Sequence, residues 1–391
     1  MTPDRPPLRV AFFGHAEGRR GDGLSTYSRE MVGALRSAGV EVRFFAHRED
    51  GDILPVGPAD AVILRAWRYK TMTIPKPGSL RTIRDALTAF APDVVHISWS
   101  FSLQDAQVSR IAHRLGATTV ATFHLPHGPA GTFRAAILQG LYRYQRTRMR
   151  DVDRCIALSD GQRRLLERAG YPEARISVIP NGVDADAVSP GPSTLREEVG
   201  ARLVVLYVGR LDPEKRVAEL AESFVSLGLP DDHVLCIAGD GVQRRALRRI
   251  AAEHRNVRVL GLVTARRALD LLRGCDVFVL PSTAEGLALS LLEAMAAGCA
   301  IVATDAGEDG RALAGAGMVI PVHPLRPALD EALRTLVSDA ALRTRLGGAA
   351  RHRVIERYAL ADNARRVLAV YAAAAGSAPD ACSRVTPAAL P

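Results

Sequence analysis

At 391 residues the chain is longer than one ordinary hydrophobic core, which makes two domains the expectation. Hydrophobic residues at 48% and charged residues at 24% are the balance of a soluble globular protein and exclude a disordered or fibrous chain. The net charge of +9 is lopsided: residues 1–185 hold 26 Lys/Arg against 18 Asp/Glu, and residues 186–391 hold 25 against 24, so a field that attracts anions belongs to the first half.

Residues 8–13 are a short apolar run of the kind that makes a buried parallel strand, and a glycine-rich loop follows. Helical spacing over 25–37 puts Tyr27, Met31 and Leu35 on one side, and 40–45 is the next strand. Residues 46–78 are irregular, with a short strand at 61–64. Then come a helix at 80–90, a strand at 93–97, a helix at 107–115, a strand at 118–122 and a long helix at 135–150. A strand at 154–158, a helix at 161–169 and a strand at 176–179 complete the first series. Residues 180–193 (PNGVDADAVSPGPS) carry the prolines, glycines and aspartates of a linker.

The alternation then restarts. Strands are expected at 203–208, 234–238, 257–260, 277–280 and 300–303, with helices at 216–227, 242–253, 266–273 and 290–297 between them. Helices at 325–337, 341–356 and 359–375 close the chain. Two series of this kind imply an α/β protein with two Rossmann-like, doubly wound parallel-sheet domains facing a cleft. The division is 1–185 and 186–358, with a helix at 359–376 that returns to the first domain and a disordered tail at 377–391.

Five scattered cysteines with no C-x-x-C argue against a disulfide framework or zinc site and for a reducing cytosol. The first residues lack a signal-peptide pattern, and no apolar run approaches the 18 or so residues of a spanning helix. The expected location is therefore the cytoplasm.

In open parallel sheets, ligands bind beyond the carboxyl ends of the strands, and four stretches there carry chemistry. Gly23 opens a helix where backbone N–H groups can approach an anion, although a glycine turn with no ligand has the same look. Gly209, Arg210 and Lys215 in YVGRLDPEKR put two cations at a helix start, either as a diphosphate clamp or as solvated charges. His124, in TFHLPHG, is either a site residue or a satisfied structural histidine. The fourth stretch, 280–300, holds Glu285 and Glu293 among apolar neighbours. At least one of the two must face a ligand or a partner, and carboxylates at a helix mouth suit sugar or ribose hydroxyls.

Taken in order, GDGLSTYSREM, ATFHLPHG, ALSDGQRRLL, VIPNGVD, VGRLDPEKRV, AGDG and DVFVLPSTAEGLALSLLEAMAAGCAIVATD resemble the retaining glycosyltransferases of family four over roughly residues 8–375. The last segment contains that family's Glu-x7-Glu pattern, Glu285 to Glu293. The resemblance implies the GT-B fold and a hexosyl transfer from a nucleotide diphosphate sugar to a glycan, lipid-linked or small-molecule acceptor. It implies that Glu285 binds donor-sugar hydroxyls, Glu293 the ribose, and Arg210 and Lys215 the diphosphate. Gly23 would approach the phosphate, His124 would lie by the sugar, and Val263 would border the base. Gly286, Leu287, Ala288 and Leu289 would line the donor loop.

No metal or other cofactor is expected, since the two cations and helix N-termini would take up the charge on the leaving diphosphate. The stretches Asp151-Val152-Asp153 and Asp184-Ala185-Asp186 look like metal-binding D-x-D but read as a loop and a linker. Two departures stand out: Gly286-Leu287-Ala288 where the family often has Gly-Phe-Gly, and AGEDG after Asp305 in place of a Gly-Gly pattern. If the 286–288 amides contact the donor, Ala288 must take a conformation that glycine takes more easily.

The arginines of 142–154, with Arg143, Arg146 and Arg150 on one side of a helix, suit an anionic acceptor or peripheral contact with an acidic membrane face, or are a solvated helix surface. Rival readings of the whole chain are a sugar-nucleotide epimerase and a silent glycan- or nucleotide-binding protein. Aromatics at 5% offer few stacking platforms for nucleic acid, which is not an expected partner.

Overall fold

The computed structural model describes residues 7–16, 23–47, 54–64, 66–69, 72–99, 105–124, 140, 143–144 and 151–376. The chain divides into two compact units, 1–181 with 360–391, and 182–359. The expected helix at 135–150 falls almost wholly outside the described residues, as does the tail at 377–391.

The first unit is built on strands β1 (Arg9–Phe13), β2 (Glu41–His47), β3 (Ala61–Leu64), β6 (Val94–Trp99), β7 (Thr118–Phe123), β8 (Arg154–Ala157) and β9 (Ile176–Val178). A small antiparallel hairpin, β4 (Ala66–Tyr69) and β5 (Met72–Pro75), stands apart from them in a stretch expected to be irregular. The sheet order is β3-β2-β1-β6-β7-β8-β9, and every neighbouring pair is parallel. The crossovers carry helices α1 (Gly23–Ser37), α2 (Ser79–Phe90), α3 (Asp105–Arg114) and α4 (Asp160–Arg168). Helices on both sides bury both faces of the sheet, which is why β6 and β7 are buried at every position.

The second unit repeats the plan. Strands β10 (Leu203–Val208), β11 (His233–Ala238), β12 (Val257–Gly261), β13 (Val277–Leu280), β14 (Ala300–Thr304) and β15 (Met318–Ile320) form a parallel sheet in the order β12-β11-β10-β13-β14-β15. Its helices are α5 (Leu195–Val199), α6 (Val217–Ser226), α7 (Arg244–Glu253), α8 (Ala265–Gly274), α9 (Leu289–Ala296), α10 (Asp309–Leu313), α11 (Leu325–Ser338) and α12 (Ala340–Arg357). One continuous core, from Val183 to Val354 in α12, holds it together. No helix among the described residues is long and apolar enough to cross a membrane.

The last helix, α13 (Leu360–Ala375), lies on the first unit's sheet beside α1. Val367, Tyr371 and Ala374 join Phe12, Phe44 and Val120 in one core. A buried polar column runs through this packing. Nδ1 of His96 is 2.6 Å from the Tyr371 hydroxyl, Nε2 is 3.0 Å from Oγ1 of Thr122, and the Tyr27 hydroxyl donates to the same Thr122 oxygen at 3.3 Å. His96 is wholly buried and stacks on Phe12 at 4.5 Å, and burial lowers its pKa from 6.5 to about 3.

Because the folded-state pKa of His96 lies below its unfolded value, the unfolded chain takes up the proton first. The contribution of His96 is complete above about pH 6.5 and is lost as pH falls towards 3. Between pH 6.5 and 5, before most carboxylates protonate, this one group should cost up to about 1.4 kcal/mol of stability per pH unit. Denaturant midpoints measured across that window should have a slope shallower by about one proton in His96→Gln. An unchanged slope would mean that His96 is charged in the fold.

Candidate active site

In each sheet the strand order reverses once, between β1 and β6 in the first unit and between β10 and β13 in the second. Loops leaving adjacent strands diverge at such a point and leave a crevice at the carboxyl ends. In the second unit the loop after β10 carries Gly209, Arg210 and Lys215, and the loop after β13 carries Glu285, Gly286, Leu287 and Ala288. The topology thus brings together two stretches that lie 70 residues apart in sequence.

They meet in an ion pair. Lys215, at the end of a short 3-10 turn (Pro213–Lys215), bonds through Nζ to Oε1 of Glu285, and the side chains are only 12% and 10% exposed. The main chain ties the same loops together, because the Thr283 amide donates to the Glu214 carbonyl at 2.8 Å. Arg210 is more open, at 51% exposed, and leans on Asp212 and on Glu214 at 2.9 Å. Its own carbonyl accepts from the buried Tyr207 hydroxyl at 2.7 Å, which fixes the backbone beneath it. Both cations therefore stand at the crevice with carboxylate partners already in place.

Two glycines allow these loops to lie so close. Gly239 has φ +146, and a Cβ there would fall 1.8 Å from the Gly209 carbonyl oxygen. Gly307 has φ +62, and a Cβ there would fall 2.0 Å from the Glu285 carbonyl oxygen. Any side chain at either position would drive the loop off its neighbour.

Glu293 is the fifth residue of α9 and Leu289 the first, so the two glutamates divide between loop and helix as the spacing suggests. Leu287 is buried and packs into the unit's core. Val263 is half-buried in the turn after β12. Ala288 sits at φ −71, ψ 126, ordinary extended backbone that alanine adopts freely, and its amide donates to Oδ1 of Asp309 at 2.9 Å.

Asp309 is a residue that the sequence reading missed. It is 1% exposed, and burial followed by the charge of Glu285 raises its pKa well above the usual carboxylate range. The AGEDG departure was the available signal.

The first unit holds Gly23 and His124. Gly23 is the exposed first residue of α1, and the residues before it, 17–22, lie outside the described set. His124 follows β7. Its Nε2 is 2.9 Å from Oγ of Ser98, and its ring stands edge-on to Tyr27 at 4.5 Å. Burial holds its pKa well below 6.5, with His15 and His96 adding to the effect.

The D-x-D stretches have structural work. Oδ2 of Asp153 accepts from the Thr119 amide at 2.8 Å, and Oδ1 of Asp184 accepts from the amides of Asp186 and Ala187 at 3.1 and 3.0 Å. Of the arginine stretch, Arg146, Arg148 and Arg150 lie outside the described residues, and Arg143 is exposed. Arg154 lines a groove of about 450 Å³ between β9 and α13 together with Arg366, and both guanidinium groups bond main-chain carbonyls across it.

Two family models account for most of the chain. "Glycosyltransferase Family 4" matches residues 21–187 and "Glycosyl transferases group 1" matches 196–353. The GDP-mannose-dependent alpha-mannosyltransferase of Mycolicibacterium smegmatis is 30% identical over 380 residues, which is 90% of this chain and 93% of that one. The phosphatidyl-myo-inositol mannosyltransferase of Mycobacterium tuberculosis is 34% identical over 271 residues, 66% of this chain and 68% of that one. Among solved structures, sucrose-phosphate synthase from Thermosynechococcus elongatus superposes with a TM-score of 0.75 at 18% identity, covering 95% and 100% of the two chains. The chain belongs to the family 4 glycosyltransferases of GT-B fold. It is a nucleotide-sugar glycosyltransferase.

The Lys215–Glu285 pair should be measurable as a coupling. Lys215→Ala and Glu285→Ala should each destabilise the protein by about 1.5–3 kcal/mol, the range for a charge-assisted hydrogen bond. The double variant should lose clearly less than the sum, because the second truncation removes a charge that the first left stranded. Additive losses in urea unfolding would mean that the pair does not form.

Proposed function

We propose that the protein transfers a mannosyl group from GDP-mannose to an acceptor hydroxyl, with retention of anomeric configuration and without a metal. The observation that carries this reading is the Lys215–Glu285 pair at the switch point, with Arg210 beside it. The whole-length relative supports the choice of donor.

Breaking the glycosidic bond puts negative charge on the diphosphate as positive charge builds on the sugar ring. Arg210 and Lys215 are the groups that would take up the charge on the leaving group. Their present partners are carboxylates, so a diphosphate would enter by sharing or displacing Asp212, Glu214 and Glu285. Glu285 would accept hydrogen bonds from donor-sugar hydroxyls, held in place by Lys215. Glu293 on α9 would take the ribose. The departing phosphate would receive the acceptor's proton, so no carboxylate nucleophile is needed. His124 is assigned to the sugar side of the reaction, and an uncharged ring suits a hydrogen bond to a hydroxyl rather than to a phosphate.

In a thermal-shift screen of GDP, UDP, ADP and their sugars, GDP-mannose should stabilise the protein most, by about 2.7 kcal/mol at a hundredfold excess over Kd. Arg210→Ala should weaken nucleotide binding by about ten- to a hundredfold, the loss of a charge-assisted bond. Its effect on the stability of the free protein should stay below about 1 kcal/mol, since Arg210 is half exposed. His124→Ala should lower kcat and leave GDP binding intact. Turnover should survive chelation with EDTA, and the product should keep the donor's anomeric configuration by NMR. An inverted product, loss of turnover with EDTA, or indifference to every nucleotide would each overturn the corresponding part of the reading. Consumption of donor with no acceptor present would favour an epimerase.

A further inference from the structure

We propose that Asp309 is a positioning residue of the donor site, which sets the course of the loop bearing Glu285 by holding the Ala288 amide. The inference rests on reading that loop as the place where the donor sugar binds.

Three successive residues of one segment grip three positions of the loop. Gly307 lies against the Glu285 carbonyl, the Glu308 amide donates to the Gly286 carbonyl at 2.8 Å, and Oδ1 of Asp309 accepts from the Ala288 amide at 2.9 Å. The first two contacts are made by main chain, the first of them only because position 307 is glycine. The third needs a side-chain acceptor of a particular length at position 309.

That acceptor is costly to place. Asp309 is almost fully buried, Glu285 and Glu308 add like charge, and the Ala288 amide and Lys215 work in its favour. An apolar side chain would fill the space without this penalty. The hydrogen bond to Ala288 is what the carboxyl supplies that a leucine could not.

The bond also decides what the loop offers. Ala288 is the residue before α9, and its amide is among those at the helix mouth. With that amide engaged by Asp309, it is withdrawn from any ligand, and the loop is held with Glu285 against Lys215. Asp309 touches neither cation of the proposed diphosphate clamp through a hydrogen bond, so its influence should fall on the sugar rather than on the nucleotide.

The test separates those two parts of the donor. Asp309→Asn keeps an acceptor oxygen at the same reach, and Asp309→Leu removes it while keeping the same branched set of four side-chain heavy atoms, though in a larger volume. Asp309→Ser is the fallback should the leucine variant fail to fold. Dissociation constants for GDP and for GDP-mannose are measured by calorimetry on each full-length protein.

The asparagine variant should bind both ligands within about threefold of wild type. The leucine or serine variant should bind GDP as wild type does and GDP-mannose about tenfold or more weakly, a loss of about 1.4 kcal/mol. Equal losses for the two ligands, or unchanged binding of both with only a lower melting temperature, would overturn the proposal while leaving the donor site standing. A wild-type protein that binds neither GDP nor GDP-mannose would overturn the donor reading and this inference with it.

Discussion

The second unit depends on a bond between Lys215 and Glu285, made across the point where its strand order reverses. Removing both groups from water costs several kcal/mol per ion, and their attraction offsets that only where the geometry is fixed. The fixing comes from the main chain. Thr283 bonds Glu214, Gly239 allows the neighbouring loop to lie against Gly209, and Gly307 does the same against Glu285. Each side chain of the pair stands on a loop that cannot drift from the other. The carboxyl end of the sheet is thereby a preformed polar site.

The first unit solves a different problem with the same means. Its sheet must accept a helix, α13, that arrives from the far end of the chain. Apolar packing by Val367 and Ala374 supplies the area, but a flat apolar face does not fix how a helix sits. Tyr371 does so through the His96 ring, which continues to Thr122 and Tyr27. Tyr27 packs edge-on to His124, so the column that docks the helix also supports that ring. Both histidines are held uncharged by burial, which suits a column of neutral hydroxyl and imidazole bonds.

Much of this was legible in the sequence because buried parallel strands announce themselves. LVVLYV and VFVL have few polar residues to interrupt them, and both lie where expected to within a residue or two. The glycine-bearing loops after them were legible as sites because ligands gather at carboxyl ends. Pairings were not legible. Nothing in YVGRLDPEKR says that Lys215 will find Glu285 rather than solvent, since the meeting depends on β13 lying beside β10. The β4–β5 hairpin escaped notice because AWRY and MTIP are not continuous apolar runs, and β15 because MVI is only three residues long. The helix α10 escaped because AGEDGRAL has glycine inside it, and there the helical conformation is imposed by packing on β14 and β15 rather than by propensity.

The two places where the chain leaves the usual family pattern, Leu287-Ala288 and Glu308-Asp309, look independent in the sequence, 21 residues apart. In the fold they are one feature. Alanine at 288 is compatible with the loop because the backbone there is ordinary extended chain, and the amide it presents is met by the carboxyl at 309. Glycine at 288 would leave the loop free to turn its amide elsewhere, and a residue without an acceptor at 309 would leave that amide unmatched at a helix mouth. The two substitutions make sense together in a way that neither does alone. The departure at 309 lies in the strap behind the loop, at the side chain that holds the Ala288 amide, and not in the Lys215–Glu285 pair itself.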